Sequence, residues 1–227
     1  MKAIITQRQG INQYGLPVDT LEATYISYFE DLGLDLTIIS NYTKRLDQKL
    51  KGKIDLIILT GGGSINPIYY EEGHKESLQE KRDLIEEELI SHGLKESIPI
   101  LAICRGMQYM NGLMGGKISR LNKLNIPRPI GKDHEILLGE KTISVNNYHN
   151  DGIYINDLGK NLTIIGLDKA NDIVEAFYSM KNKILGLQWH PERNFSCKIS
   201  KDENDKLIRE FILTGGKIDE GYYISSR

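Results

Sequence analysis

The chain has little cysteine and little proline: two cysteines and six prolines among 227 residues, with a single tryptophan. Cys104 and Cys197 lie far apart, with no CxxC pair and no Cys/His ligand cluster, which excludes a disulfide framework and a Cys/His metal site. One bond between the two cysteines is the alternative to two free thiols. Neither sign of charge dominates. Twenty-nine basic against 31 acidic residues leave a formal charge of −2, so no long-range field draws the chain toward nucleic acid or an anionic membrane. No apolar run is long enough to span a bilayer and no signal-peptide core is evident, so a cytoplasmic location is expected. Internal repeats, low-complexity tracts and linker-like Gly/Ser/Pro stretches are also missing, and a single domain over residues 1–227 is expected.

Four short apolar runs rich in β-branched residues, Lys2–Thr6, Leu36–Ser40, Ile54–Thr60 and Ile98–Ile103, read as strands buried on both faces. Helical spacing separates them. Leu21, Tyr25, Phe29 and Leu32 recur every three to four residues, and Leu78, Ile85 and Leu89 carry a similar period through a stretch dense in Glu, Lys and Arg. The order β-α-β-α-β-α-β-α predicts an α/β fold: an open, mostly parallel sheet with helices on both faces and right-handed crossovers. Beyond Gly115–Gly116 a polar, proline-bearing loop precedes two hairpin-like pairs, Leu137–Val145 broken by "GEK" and Ile173–Tyr178 with Ile184–Trp189 around "SMKNK". These extend the same sheet. "ENDKLIREFILTGG" reads as a closing helix with Leu207, Ile208, Phe211 and Ile212 on one face and Gly215 past its end.

Cys104 sits where the strand "PILAI" runs into "RGMQYMNGLMGG", whose Met107, Met110 and Met114 suit one helix face. A side chain at such a corner stands clear of the sheet's carboxyl edge, beside free N–H groups and a helix dipole that favours negative charge. That is a position for a nucleophile, and Gly106 lets the backbone pass closely beneath it. A small buried core cysteine fits the strand but does not call for Arg105 and Gly106. A thiolate works with a proton-relaying base and a group that orients it. Of five histidines, His74 and His92 lie in or beside the charged helix near residue 80, where a solvated surface role is expected, His134 sits in the polar loop, and His149 ends a strand-like run. His190 leads "HPE". If the extended backbone persists, Glu192 faces the same way and can accept from one ring nitrogen. The same three residues also fit a hairpin-exit turn with a surface glutamate. The glycine run of "ILTGGGSINP" follows another core strand; it has no G-K-[ST] ending, so it is not a P-loop, but its amides with that of Arg105 suit an oxyanion hole.

With "TGGGS", "CRGMQ", "NNYHNDG" and "WHPE" in this order, nearly the whole chain resembles the class I glutamine amidotransferase superfamily, and within it the γ-glutamyl hydrolase branch. The resemblance implies a Cys104–His190–Glu192 triad, oxyanion donors around Gly62 and Gly63 with the Arg105 amide, and substrate contacts from Gln108, Asn147, Tyr148 and His149. It calls for no metal or organic cofactor. It also implies a small γ-glutamyl conjugate as partner, with neither nucleic acid nor membrane. As a whole-chain likeness it extends to members that free a nucleotide-linked phosphoramidate during capsule biosynthesis, where Lys123, Arg128 and Lys132 would meet phosphates. Tyr69, Tyr70, Tyr148 and the Asn125–Gly131 loop are the candidates for contacting the leaving amine. Three departures stand out: Ala102 where relatives carry glycine, no P-G-x-x-x-x-P in the glycine loop, and a single His149 followed by Asn150. A glutaminase subunit that hands ammonia to a separate synthetase, and a sensor that binds a glutamyl compound without turnover, share much of this pattern. Oligomeric state is not legible in it.

Overall fold

A computed structural model describes residues 1–72, 78–121 and 130–224. The elements are β1 (Lys2–Thr6), β2 (Arg8–Ile11), β3 (Pro17–Thr20), α1 (Ala23–Asp31), β4 (Asp35–Ile39), α2 (Leu46–Lys49), β5 (Leu56–Leu59), α3 (Glu80–Glu96), β6 (Ile100–Ile103) and α4 (Arg105–Leu113). There follow β7 (Ser119–Arg120), β8 (Asp133–Leu138), β9 (Lys141–Asn146), β10 (Asp151–Tyr154), β11 (Thr163–Asp168), β12 (Ile173–Ser179), β13 (Ile184–Leu187) and α5 (Lys198–Leu213). The described residues form an 11-stranded sheet whose main path is β4-β1-β5-β6-β13-β12-β11-β8-β9. From β4 to β13 the pairings are parallel, and from β13 to β9 they are antiparallel. The α/β architecture expected from the apolar runs is observed, with the expected strands forming a parallel half to which an antiparallel half is joined.

The parallel strands are apolar throughout because each face of the sheet has its own core. Alternation along the strand sends Ala3, Ile5, Ile58, Leu101 and Ile103 to one side, where they meet Tyr25 and Phe29 of α1 and Leu207, Ile208 and Phe211 of α5. Ile4, Ile57, Leu59, Ile100 and Ala102 point the other way, against Ile85 and Leu89 of α3 and Met107 and Met110 of α4. Ala102 is fully buried there, so its methyl is part of the packing. Met114 follows the end of α4 and packs only partly on that core.

Several elements depart from expectation. A β2–β3 hairpin, paired from Arg8↔Thr20 to Ile11↔Pro17, intervenes between β1 and α1. The helix between β4 and β5 is the single turn α2. α3 begins at Glu80, and Leu78 instead bridges Ser64. β10 and β11 have no counterpart among the expected strands. β13 stops at Leu187, so His190 and Glu192 lie beyond the extended backbone. Cys104 and Cys197 are free thiols. Among the described residues no helix is long and apolar enough to cross a membrane.

Candidate active site

β6 and β13 are neighbours in parallel, paired from Ile184↔Ile100 to Leu187↔Ile103, so their carboxyl ends deliver Cys104 and His190 to one place. The Cys104 amide donates to the Leu187 carbonyl at 2.7 Å, and the chain then breaks direction: Cys104 has φ 51° and ψ −105°. A non-glycine residue held there stores about 1–3 kcal/mol of strain, sustained by the packing around it. Gly106 makes the corner possible. A Cβ at this position would stand 2.6 Å from the Leu59 carbonyl oxygen of β5, so only glycine lets α4 begin this close to the sheet.

His190 is buried and fixed from several directions. Its Nδ1 hydrogen-bonds Glu192 Oε1 at 2.6 Å and lies 3.3 Å from the Tyr25 hydroxyl. Asn146 accepts from its amide at 3.0 Å and donates to its carbonyl at 2.8 Å. With Nδ1 engaged, Nε2 is left for Cys104. Burial lowers the His190 pKa, but the Cys104 and Glu192 side chains outweigh it and raise the value to about 9. The two residues of "HPE" meet across a turn, not along a strand: the Arg193 amide donates to the His190 carbonyl at 3.2 Å. The turn brings the carboxylate beside the ring, although the extended spacing that suggested the pair is absent.

The glycine loop is held by a residue that no sequence pattern singles out. Arg82 of α3, fully buried, donates from Nη1 to the carbonyls of Gly61 and Gly62 at 2.9 Å each and from Nη2 to the Thr60 carbonyl. A trans peptide points its N–H opposite its C=O. Fixing these carbonyls therefore turns the Gly62 and Gly63 amides away from Arg82, and both residues line the cavity that Cys104 opens into. Gly62 and Gly63 have φ of 87° and 76°, which side-chain-bearing residues avoid. Arg82 Nε also binds Glu86 at 2.7 Å, and the Arg105 guanidinium reaches Glu86 and Asp83. Two buried cations thus meet two carboxylates, one charge for each, as burial of ions requires. Burial pushes Asp83 up to about 6 even beside Arg105.

A cavity of about 350 Å³ is lined by Cys104, His190, Gly62, Gly63 and Arg105, with Gln108, Tyr148 and His149 on its wall. Gln108 Nε2 donates to the Asp151 carbonyl at 3.0 Å and His149 Nδ1 lies 2.9 Å from the same oxygen, so both support the loop before β10. Tyr148 packs edge-on to His190 at 5.8 Å and carries the Arg193 guanidinium 4.1 Å above its ring. Asn147 does not line the cavity; it is buried beneath the loop. Tyr69 meets Tyr109 edge-on and Tyr70 donates to Asp151, so neither reaches the cavity either. Lys132 is exposed away from it, while His74, Lys123, Arg128 and most of the Asn125–Gly131 loop lie outside the described residues. Besides Arg105, whose amide was expected to meet substrate, the lining includes the cations Arg8, Arg120 and Arg193, which were not. Periodicity could not have found Arg8, since its hairpin has no strong alternation, and Arg82 reads in the sequence as one more charge on a solvated helix.

A buried thiol at a strained corner, an imidazole hydrogen-bonded to a carboxylate, and two glycines on the same cavity wall with amides turned from Arg82 are together suited to acyl transfer through a covalent intermediate. The Lactococcus lactis "putative glutamine amidotransferase-like protein YvdE" is 32% identical over 214 residues, which cover 85% of this chain and 87% of that protein. A Campylobacter jejuni γ-glutamyl-CDP-amidate hydrolase is 34% identical over 73% of this chain and 72% of its own. In fold, a glutamine amidotransferase from Thermotoga maritima superposes with a TM-score of 0.56 at 19% identity, over 96% of this chain and 86% of that one. The family model for Peptidase C26 matches residues 3–192, a span that runs from β1 through the strained cysteine to the carboxylate beside His190; the chain belongs to that family.

Proposed function

We propose that the protein is a cysteine hydrolase that cleaves the γ-glutamyl bond of a small γ-glutamyl conjugate and releases L-glutamate and the amine. The observation that carries the reading is the convergence of Cys104, at the strained end of β6, with a His190–Glu192 pair at the end of β13. Cys104 Sγ attacks the γ-carbonyl carbon, and the oxygen, now anionic, is held by the amides of Gly62 or Gly63 and Arg105. Donors of this kind contribute roughly 3–4 kcal/mol each. His190 gives its Nε2 proton to the departing nitrogen as the C–N bond breaks, leaving glutamate as a thioester on Cys104. Water then attacks the thioester carbon. His190 takes the proton from that water, the C–S bond breaks to return the Cys104 thiolate, and glutamate leaves with a free γ-carboxylate. Glu192 and Tyr25 keep the ring turned so that Nε2 faces the sulfur.

For the amine, γ-glutamyl-CDP-amidate is the first substrate to test, with cytidine diphosphoramidate as the product in capsule phosphoramidate biosynthesis; likeness to the Campylobacter jejuni hydrolase supports this. The experiment is glutamate release from free glutamine and from a panel of γ-glutamyl amides. Turnover of a conjugate in preference to glutamine is expected, and Cys104→Ala is expected to lose at least ~10³-fold of it. Normal turnover by Cys104→Ala would end the proposal. Glutamine hydrolysis only with an added synthetase would replace it with an ammonia-delivering subunit.

A further inference from the structure

A second cavity, of about 150 Å³, adjoins the first and is walled by Thr20, Leu21, Tyr25 and Gly61. The two share Arg8, Glu22, Gly62 and His190. In the reaction above, the departing nitrogen takes its proton from His190. His190 lines both cavities, so the second is within reach of the rest of the amine.

The charges there are not balanced. Glu22 is the carboxylate of the second cavity, and Arg193 already binds both of its oxygens, at 2.8 and 2.9 Å. Arg8 has no ion pair and no side-chain hydrogen bond among the described residues. Arg8 is solvent-exposed, but two contacts hold it in place. The β2–β3 pairing fixes its backbone opposite Thr20, and its Cδ packs so closely on Gly62 that a Cβ there would lie 2.9 Å away. A guanidinium without a partner is thus set where the two cavities meet. A neutral amine would leave it unpaired, and a cationic amine would be repelled. An amine carrying a carboxylate or phosphate would give it a charge-assisted, two-point hydrogen bond.

We propose that the second cavity is a leaving-group subsite in which Arg8 selects γ-glutamyl conjugates of anionic amines, with a carboxylate or phosphate close to the scissile nitrogen. This rests on the γ-glutamyl hydrolase reading. The residue belongs to binding, not to bond cleavage, so its signature is a ratio of substrates. kcat/KM would be measured for four amides matched in length: a γ-glutamyl aminoalkyl carboxylate, its neutral alkylamine counterpart, a γ-glutamyl diamine, and a γ-glutamyl phosphoramidate. At least tenfold preference for one anionic conjugate over the neutral one is expected. The anion that gains more, carboxylate or phosphate, names the source of the charge. Arg8→Gln should cut that ratio at least fivefold and Arg8→Glu should shift preference toward the diamine, while Arg8→Lys keeps part of it. Release of glutamate from all four with equal kcat/KM, or a ratio unmoved in Arg8→Gln, overturns the subsite alone. Release from none of them overturns the hydrolase reading and the subsite with it.

Discussion

His190 has more restraints than a packed histidine needs: Glu192 and Tyr25 at one nitrogen, Asn146 on both sides of its peptide, and Tyr148 across its edge. Its raised pKa has a cause that can be taken away. Burial works against the proton, while Cys104 and Glu192 work for it and bring the value to about 9. In Cys104→Ala, burial is opposed by Glu192 alone, so an NMR titration of His190 should give a value clearly below 9. In the proposed reaction the same proton is donated to the leaving nitrogen, so glutamate release should fall as pH rises through about 9. A pH–rate profile flat across that range would contradict the role. Arg82 offers a second test. Lysine keeps the charge but cannot reach three carbonyls at once. Arg82→Lys should lower kcat by about 10- to 100-fold, the scale of a misplaced oxyanion donor, with little change in KM. Alkylation of Cys104 by iodoacetamide develops no oxyanion and should continue in this variant; loss of both would mean that Arg82 serves folding only.

Elements set these residues in place through contacts that leave no slack. α4 starts against β5, and Gly106→Ala would put a methyl 2.6 Å from the Leu59 carbonyl oxygen and 2.7 Å from its Cβ. Backbone cannot step aside as a flexible side chain would, so a loss of about 1–3 kcal/mol is expected, seen as a fall of roughly 3–10 °C in Tm. An unchanged Tm would show that the corner has room to spare. This corner was legible in the sequence because a strand of continuous apolar residues, a cysteine, a glycine and a methionine face are local signals. The α/β alternation was legible for the same reason. The β2–β3 hairpin was not: "RQGI" and "PVDT" are short, half-exposed and polar, and are paired only with each other. Arg82 was not legible either, because its partners are carbonyls 20 to 22 residues away and only the folded α3 shows that this side of the helix is buried. The His190–Glu192 pair was found through spacing, but it forms by a turn that Pro191 favours and that the spacing argument did not contain.

At the scale of the molecule, the site depends on a strand that arrives late. β13 inserts between β6 and β12, so the last strand among the described residues joins the parallel half of the sheet to the antiparallel half. Cys104 and His190 are 86 residues apart and share a cavity only once this pairing exists. Trp189, the single tryptophan, sits at that joint: it is fully buried and its Nε1 donates to Asn204 of α5 at 2.8 Å. Its fluorescence therefore reports the seam, whereas far-UV circular dichroism reports all the strands and helices. If the sheet unfolds as one unit, urea transitions followed by the two signals should coincide in midpoint and slope, and glutamate release should vanish over the same range. Asn204→Leu, which strands the indole N–H in the core, should move both transitions together by about 1–3 kcal/mol. A tryptophan transition that separates from the circular dichroism would mean that the two halves fold independently. The site would then be an interface between two units and no longer part of a single core.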